Sequence, residues 1–372
     1  MASSPFLLFL TIIVAFFTAM SESTSLSHLE FSAVTGYFLQ DDPATDPDTF
    51  DYSSTNFGLI NQTYDTDDKF DPHHKKTQWE RFGYKLRSLN RAAGTNTRFA
   101  LLYLGRHGEG YHNVAESYYG TEAWDCYWSL LDGNETSTWA DARLTDAGKA
   151  QAELARDTWI AQIKNKVPLP EIYYTSPLDR CLSTAQITFD DLDLPTGKDF
   201  KPIVKELLRE TLGIHTCDRR SSASYIRSAY PDYVIPHSFA EEDPLWDAKL
   251  RESNSARSAR LRKFLVDIFT PNNNKDPSPH HDQDEEDEDT HSANSRVNKD
   301  TYISLTAHSG AITSILEIVG HRKFAVSTGG VIPVLVRVER KPGAPPKEEI
   351  EPPSTAPECR GDPTTVRGEL MN

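Results

Sequence analysis

Between residues 98 and 338 short apolar runs alternate with stretches in which apolar positions recur every three or four residues. The runs are rich in branched and aromatic side chains and predict strands at Arg98–Leu104, Glu171–Thr175, Pro202–Leu207, Tyr302–Ala307 and Val331–Val338. The recurring pattern predicts helices. Trp79, Phe82, Leu86 and Leu89 mark one helix ahead of the first strand. Thr145 reads as the N-cap of a second, running to about Asn165, and Pro177 suits the first turn of a third, through Cys181 to about Phe189. Ser255–Phe269 forms a basic amphipathic helix, and another runs from His308 to about Val319. Strand–helix alternation of this kind predicts an α/β fold, a three-layer αβα sandwich with a mostly parallel central sheet.

The rest of the chain departs from that alternation. Residues 22–97 are expected to form an arm, extended over Leu26–Asp71, and a helix packed on the core. Tyr118–Trp139 reads as an excursion beside the site. Ile214–Trp246 reads as an insertion over the strand ends, where Arg219 or Arg220 would read a second anionic group. Residues 271–299, with their acidic run, and the tail 341–372 are too polar or proline-rich to bury a core and are expected to be disordered.

Composition narrows the partners. The 372 residues carry a formal net charge of -16, which argues against a nucleic-acid or anionic-membrane binder, since either shows a basic face. An anionic ligand must then be held by a local group of Arg and His. Phe6–Phe17 has the length of a signal-peptide core and is too short for a stable membrane span, so residues 1–21 are expected to be a signal peptide. Glycosylation acceptors at Asn61 and Asn134 fit a secreted or secretory-pathway protein, with a cytoplasmic location as the alternative. The cysteines are Cys126, Cys181, Cys217 and Cys359. A Cys126–Cys217 pair is the expectation, although spacing does not choose among pairings. Neither a C-x-x-C nor an H-E-x-x-H motif occurs, so no metal and no cofactor are expected. The oligomeric state is not legible.

The chemistry concentrates where the first strand drives into Gly105-Arg106-His107-Gly108-Glu109, with Asn113 beyond. Open α/β sheets build ligand sites at the carboxyl ends of their strands. His107 offers a nucleophilic imidazole, Arg106 a planar cation that fits phosphate oxygens, and Gly108 close backbone approach. Arg106-His107-Gly108-Glu109 resembles the signature of the histidine phosphatase superfamily, in its phosphoglycerate mutase-like branch. Further matches follow in order: Leu144, Thr145, Gly148 and Gln151; then Ser176-Pro177-Leu178 with Arg180, Thr184 and Ala185; then His308-Ser309-Gly310. The resemblance covers about Arg98–Val338, the stretch 98–340 being the expected domain. Gly110 in place of Arg-x-Pro, and Ser309 in place of Asp, set the chain apart from the acid phosphatase and phytase branch. The arm and insertion most resemble phosphoglycerate mutase-like proteins of fungi.

That resemblance implies metal-independent hydrolysis of a small phosphate monoester through a phosphohistidine on His107. His308 would be the second catalytic histidine. Arg106, Arg180, Asn113 and Ser309 would grip the phosphoryl oxygens, with the backbone N–H of Gly310 adding to them. Glu210 would protonate the leaving group, in a Leu208…Gly213 context whose spacing departs by one residue from the mutase pattern; Glu109 and Asp218 are the alternatives. A phosphoglycerate-type phosphomutase, or a secreted phosphate-binding protein without turnover, would use the same pocket.

Overall fold

The structure, a computed structural model, describes residues 26–195, 199–270 and 301–364. The stretches expected to be a signal peptide and an acidic loop, and the last residues of the tail, lie outside the described residues. In chain order the strands are β1 (Ser27–Ala33), β2 (Thr97–Arg106), β3 (Ile172–Thr175), β4 (Ile203–Val204), β5 (Tyr302–Ala307) and β6 (Val331–Pro342). Helices α1 (Asp67–Phe70) and α2 (Gln78–Ala92) precede β2. Between β2 and β3 lie α3 (Tyr111–Tyr119), α4 (Thr121–Cys126) and α5 (Asp146–Lys164). Then α6 (Asp179–Phe189) follows β3, α7 (Ala223–Ala229) and α8 (Asn254–Phe269) separate β4 from β5, and α9 (Ser309–Ile318) leaves β5.

The sheet order is β1-β6-β2-β5-β3-β4. From β2 to β4 the neighbours run parallel, and β6 runs antiparallel to both β2 and β1. This is the mixed but mostly parallel αβα sandwich that the alternation predicts. Its strands read as continuous apolar runs because both faces are covered. On one face Leu102, Leu104, Ile303 and Leu305 pack with Phe264 and Leu265 of α8 and Ile312 and Ile315 of α9. On the other, Leu101 and Tyr103 meet Trp79 and Phe82 of α2, Trp159 of α5 and Phe189 of α6. Burying side chains of this size contributes roughly 1.5–3 kcal/mol each.

Register then sets up the site. Arg106 pairs with Ala307 and Thr175 with Thr306, so β2, β5 and β3 end level with one another. His107 donates its backbone N–H to Ala307 O at 3.0 Å, and Ser176 donates to Thr306 O at 3.0 Å. His107, His308 and Ser176 are therefore neighbours at one edge.

Several expectations need correction. The strand expected over Pro202–Leu207 is only Ile203–Val204, and the chain turns into a 3-10 helix at Glu206–Leu208. Its partner β3 ends at Thr175, and the following Pro177 has no N–H to extend the ladder. The arm is more than a cover. Its first residues are β1, with Leu29 and Phe31 inward and Glu30 outward, and Phe38, Phe57 and Leu59 join the core under α2. The tail is not loose through residue 364. Cys126 pairs with Cys359, not with Cys217, and Cys181 and Cys217 are free and buried. Arg251 and Ser354 exchange backbone hydrogen bonds, and Trp128 donates to Pro363 O at 2.9 Å. Composition shows that the tail buries little; it does not show that backbone pairing and a covalent bond tie it down.

Candidate active site

The β2 turn is built by close approach. A Cβ on Gly108 would lie 2.2 Å from Gly148 O, and one on Gly148 would lie 2.0 Å from Glu109 O, so only glycine fits at either position. The start of α5 thus presses directly on the turn. Thr145 caps α5 by accepting Gly148 N–H at 3.0 Å, and its hydroxyl also meets Glu109 Oε1 at 2.7 Å. Gln151 accepts Glu109 N–H at 2.8 Å. From α6, Thr184 accepts Gly108 N–H at 3.0 Å. The matched Leu-Thr…Gly…Gln and Arg…Thr segments serve to fix the backbone that carries His107.

His107 is buried, with Nδ1 2.7 Å from the carbonyl of Gly108. A carbonyl only accepts, so Nδ1 carries the proton and Nε2 presents its lone pair. Burial, and after it the charge of Arg180, hold the imidazole's pKa well below its ordinary value. The ring is neutral, the form a nucleophile needs. His308, the N-cap residue of α9, stands 5.1 Å from His107 between ring centroids. Its Nε2 is 2.7 Å from Ser176 Oγ, with Cys181 Sγ at 3.4 Å. It too is held well below the ordinary value, by burial first and Arg180 next. Ser309 follows it, partly buried, at the first position of α9.

Arg180, on the first turn of α6, is almost wholly enclosed. It donates to Cys217 O at 2.6 Å and to Asp218 Oδ1 at 2.8 Å, and its Nε has no partner. Burial works against the charge, but Asp218 and its neighbours offset this and raise the pKa above the ordinary value. Arg106 donates to Val326 O at 2.9 Å, and its Nε is also buried without a partner. Each guanidinium has five N–H donors, so both keep donors in reserve. Burial lowers the Arg106 pKa, with Glu210 opposing and Arg180 adding.

Asn113 is turned partly away from the role expected of it. Its carbonyl accepts Gly110 N–H at 3.0 Å at the start of α3, leaving the amide nitrogen. Glu210 Oε2 accepts Gly310 N–H at 2.8 Å, and Oε1 accepts Thr211 N–H at 2.9 Å. The Gly310 N–H expected to meet substrate is therefore taken by Glu210, which caps α9 from outside the helix. Of the alternative acids, Glu109 is bound to Thr145 and Asp218 to Arg180.

The insertion arginines do not face the site. Arg220 is buried against Glu206, with Nε 3.0 Å from both carboxylate oxygens, and donates to the carbonyls of Ala240 and Glu242. Arg219 reaches Asp132 at 2.7 Å and lies over Trp246. Their charges hold the insertion to its surroundings rather than reading a ligand. Fully buried Arg209, which pairs with Asp243 and Glu206, belongs to the same cluster. His112 and His215 were not singled out by the sequence, and Ser176 entered only as part of its motif, with no role of its own. His112 and His215 are buried imidazoles, and His215 is pushed down to about 3 by burial and Arg251. Tyr111-His112-Asn113 beside the motif was the available signal. Among the described residues, the ligand atoms of His215, Cys217 and Asp218 converge within 4.8 Å. Asp218, however, is already matched by Arg180 and by Arg251 at 3.6 Å, which disfavours a cation there.

No helix among the described residues is long and apolar enough to cross a membrane. Residues 102–276 match the family model of the histidine phosphatase superfamily (branch 1). A relative from Arthroderma benhamiae, named probable phosphoglycerate mutase, is 56% identical over 334 residues, covering 89% of this chain and 92% of the relative. Phosphomutase-like protein 3 of Candida albicans is 32% identical, covering 87% of this chain and 85% of its own length. A probable phosphoglycerate mutase of Saccharomyces cerevisiae is 33% identical over 65% of this chain and 80% of its own length. Motif order, sheet topology and these relatives agree: the chain belongs to the histidine phosphatase superfamily, in its phosphoglycerate mutase-like branch.

Proposed function

We propose that the protein hydrolyses a small phosphate monoester, without a metal, through a phosphohistidine on His107. The observation that carries this reading is the Gly108 carbonyl on Nδ1, which leaves Nε2 of a neutral imidazole free beside His308 and two arginines with unused donors. Nε2 attacks phosphorus in line as the ester oxygen departs with a proton, and water then takes the phosphoryl group and restores His107. Arg106, Arg180 and a neutral His308 bind the equatorial oxygens, with Ser309 and the amide of Asn113 beside them. Such donors are typically worth about a hundredfold to a thousandfold each in rate.

Glu210 is the acid in this reading. A carboxylate has about four acceptor positions, and the N–H groups of Gly310 and Thr211 with the Thr211 hydroxyl fill three, leaving one on Oε2 for a proton. Its rivals are committed elsewhere. The names of the relatives favour a second reading, a phosphomutase that returns the phosphoryl group to a bisphosphate intermediate. A pocket that binds phosphate without turnover is the third outcome.

Brief mixing with labelled phosphate ester is expected to leave acid-labile phosphate on His107. A His107→Ala protein that hydrolyses esters at the wild-type rate refutes the mechanism. Isomerisation of a phosphoglycerate that requires a bisphosphate primer selects the mutase instead. We also propose passage through the secretory pathway, supported by the Cys126–Cys359 bond and by exposed Asn61 and Asn134. Its test is a mass loss on enzymatic deglycosylation of the protein from its native source.

A further inference from the structure

His112 sits on the first turn of α3, and the mechanism above does not use it. Its side chain is among the buried polar groups, with the residue 9% exposed. Its ring centroid lies 5.4 Å from that of His107, with the planes inclined by 50°. The ring folds back over Gly110. A Cβ at Gly110 would come within 2.7 Å of His112 Nδ1 and 2.9 Å of Cε1, so glycine is what admits the imidazole.

Nδ1 is enclosed there without a hydrogen-bond partner. A buried polar atom left unmatched is unfavourable, and an apolar ring would fill the same space without that cost. Lone pairs go unmatched in protein interiors more readily than N–H groups. The tautomer that fits therefore leaves Nδ1 bare and puts the proton on Nε2, the nitrogen remaining to meet a ligand. The groups whose charge reaches the ring are Arg180, His107, Arg106 and His215. Burial first, and then these neighbours, hold the imidazole neutral.

We propose that His112 is a third imidazole of the catalytic centre, donating a hydrogen bond from Nε2 to an oxygen of the phosphoryl group carried by His107. The proposal rests on the phosphohistidine reading. It gives Gly110 a purpose, since the residue that sets this chain apart from the acid phosphatase branch also makes room for the extra ring. The ring separation is short enough that oxygens projecting from His107 come within reach of the second ring. His112 would supply a neutral donor where Asn113 has turned its carbonyl to the helix start.

The test uses the full chain with His112→Phe, which fills the volume without a donor, and His112→Gln, which restores an N–H near Nε2. Both are read by orthovanadate affinity, by ester turnover and by thermal unfolding. His112→Phe is expected to unfold as the wild type does, to bind vanadate at least about tenfold more weakly and to turn over about a hundredfold more slowly. His112→Gln should recover part of both losses. Wild-type vanadate affinity and turnover in His112→Phe overturn the proposal, as do equal losses in both variants that track a lowered unfolding temperature. Should neither variant fold, nitrogen NMR of the wild-type histidines decides. Inorganic phosphate should shift the His112 Nε2 signal, and saturation of the pocket without that shift rejects the contact. If the wild type turns over no ester and takes no label on His107, the hydrolytic reading fails, while vanadate and phosphate binding still decide the role of His112.

Discussion

Asp218 accepts a hydrogen bond from Arg180 through Oδ1 at 2.8 Å, and neither side chain is more than 4% exposed. That carboxylate offsets much of the cost of burying the arginine's charge. The carboxylate takes one N–H and the Cys217 carbonyl another, which leaves Nε without a partner. The second oxygen of Asp218 faces Arg251 at 3.6 Å, so the carboxylate is shared by two cations.

Breaking this pair is the first prediction. Asp218→Ala should destabilise the protein by about 3–5 kcal/mol in urea unfolding, since a buried guanidinium is left uncompensated. Vanadate affinity should fall with it, because Arg180 loses its anchor. Unchanged unfolding would mean that the charge finds another partner.

The contact between the β2 turn and α5 supplies the second. Gly148→Ala drives a methyl into the carbonyl of Glu109, and the backbone has to move. A loss of about 1–3 kcal/mol is expected, with a larger fractional loss of turnover because the displaced segment carries His107. Parallel activity and thermal melts check this. A variant as active and as stable as wild type would show that the turn yields freely.

A third prediction concerns acid. Burial, as the largest cause, lowers the pKa of His107, His112, His215 and His308 in the folded state. Below about pH 6.5 the unfolded chain therefore binds protons that the folded chain refuses, and stability rises with pH across that range. The stabilisation is complete above pH 6.5. As pH falls below it, each histidine removes up to about 1.4 kcal/mol per pH unit until its own folded value is reached. Urea midpoints measured between pH 7 and pH 4 should drop steeply. Replacing His215, the imidazole pushed to about 3, with Gln should flatten the slope.

A fourth concerns the tail. Cys359→Ser should cost about 2–4 kcal/mol of stability. It should also loosen α4, whose Trp124 lies edge-on to His215 at 6.0 Å and whose Asp125 reaches the same ring at 3.6 Å. Faster amide exchange in residues 121–126 than in the rest of the core is the readout.

What the sequence disclosed follows from periodicity. Apolar runs flanked by helical repeats placed β2, β3, β5 and β6 within a few residues, and capping chemistry placed Thr145 at the head of α5. The residues at those strand ends, Arg106, His107, Arg180 and His308, come together because register is set by the same runs. Contacts made across the fold were out of reach. Nothing local in Glu210 announces that it caps a helix a hundred residues later, and nothing in Arg220 announces that Glu206 waits for it. Leu29-Glu30-Phe31 did carry an alternating signal, but over too few residues to outweigh the polar composition around it. The tail misled for a related reason, since a single covalent bond weighs little in composition.

That bond has a topological effect. Residues 126 to 359 form one covalent ring containing Arg180, Glu210 and His308, while Arg106 and His107 precede it on the open end. A single protease cut anywhere in the ring leaves both pieces attached, and they separate only on reduction. The same closure waits for residue 359, so the ring that carries the partners of His107 stays open until every residue within it has been made.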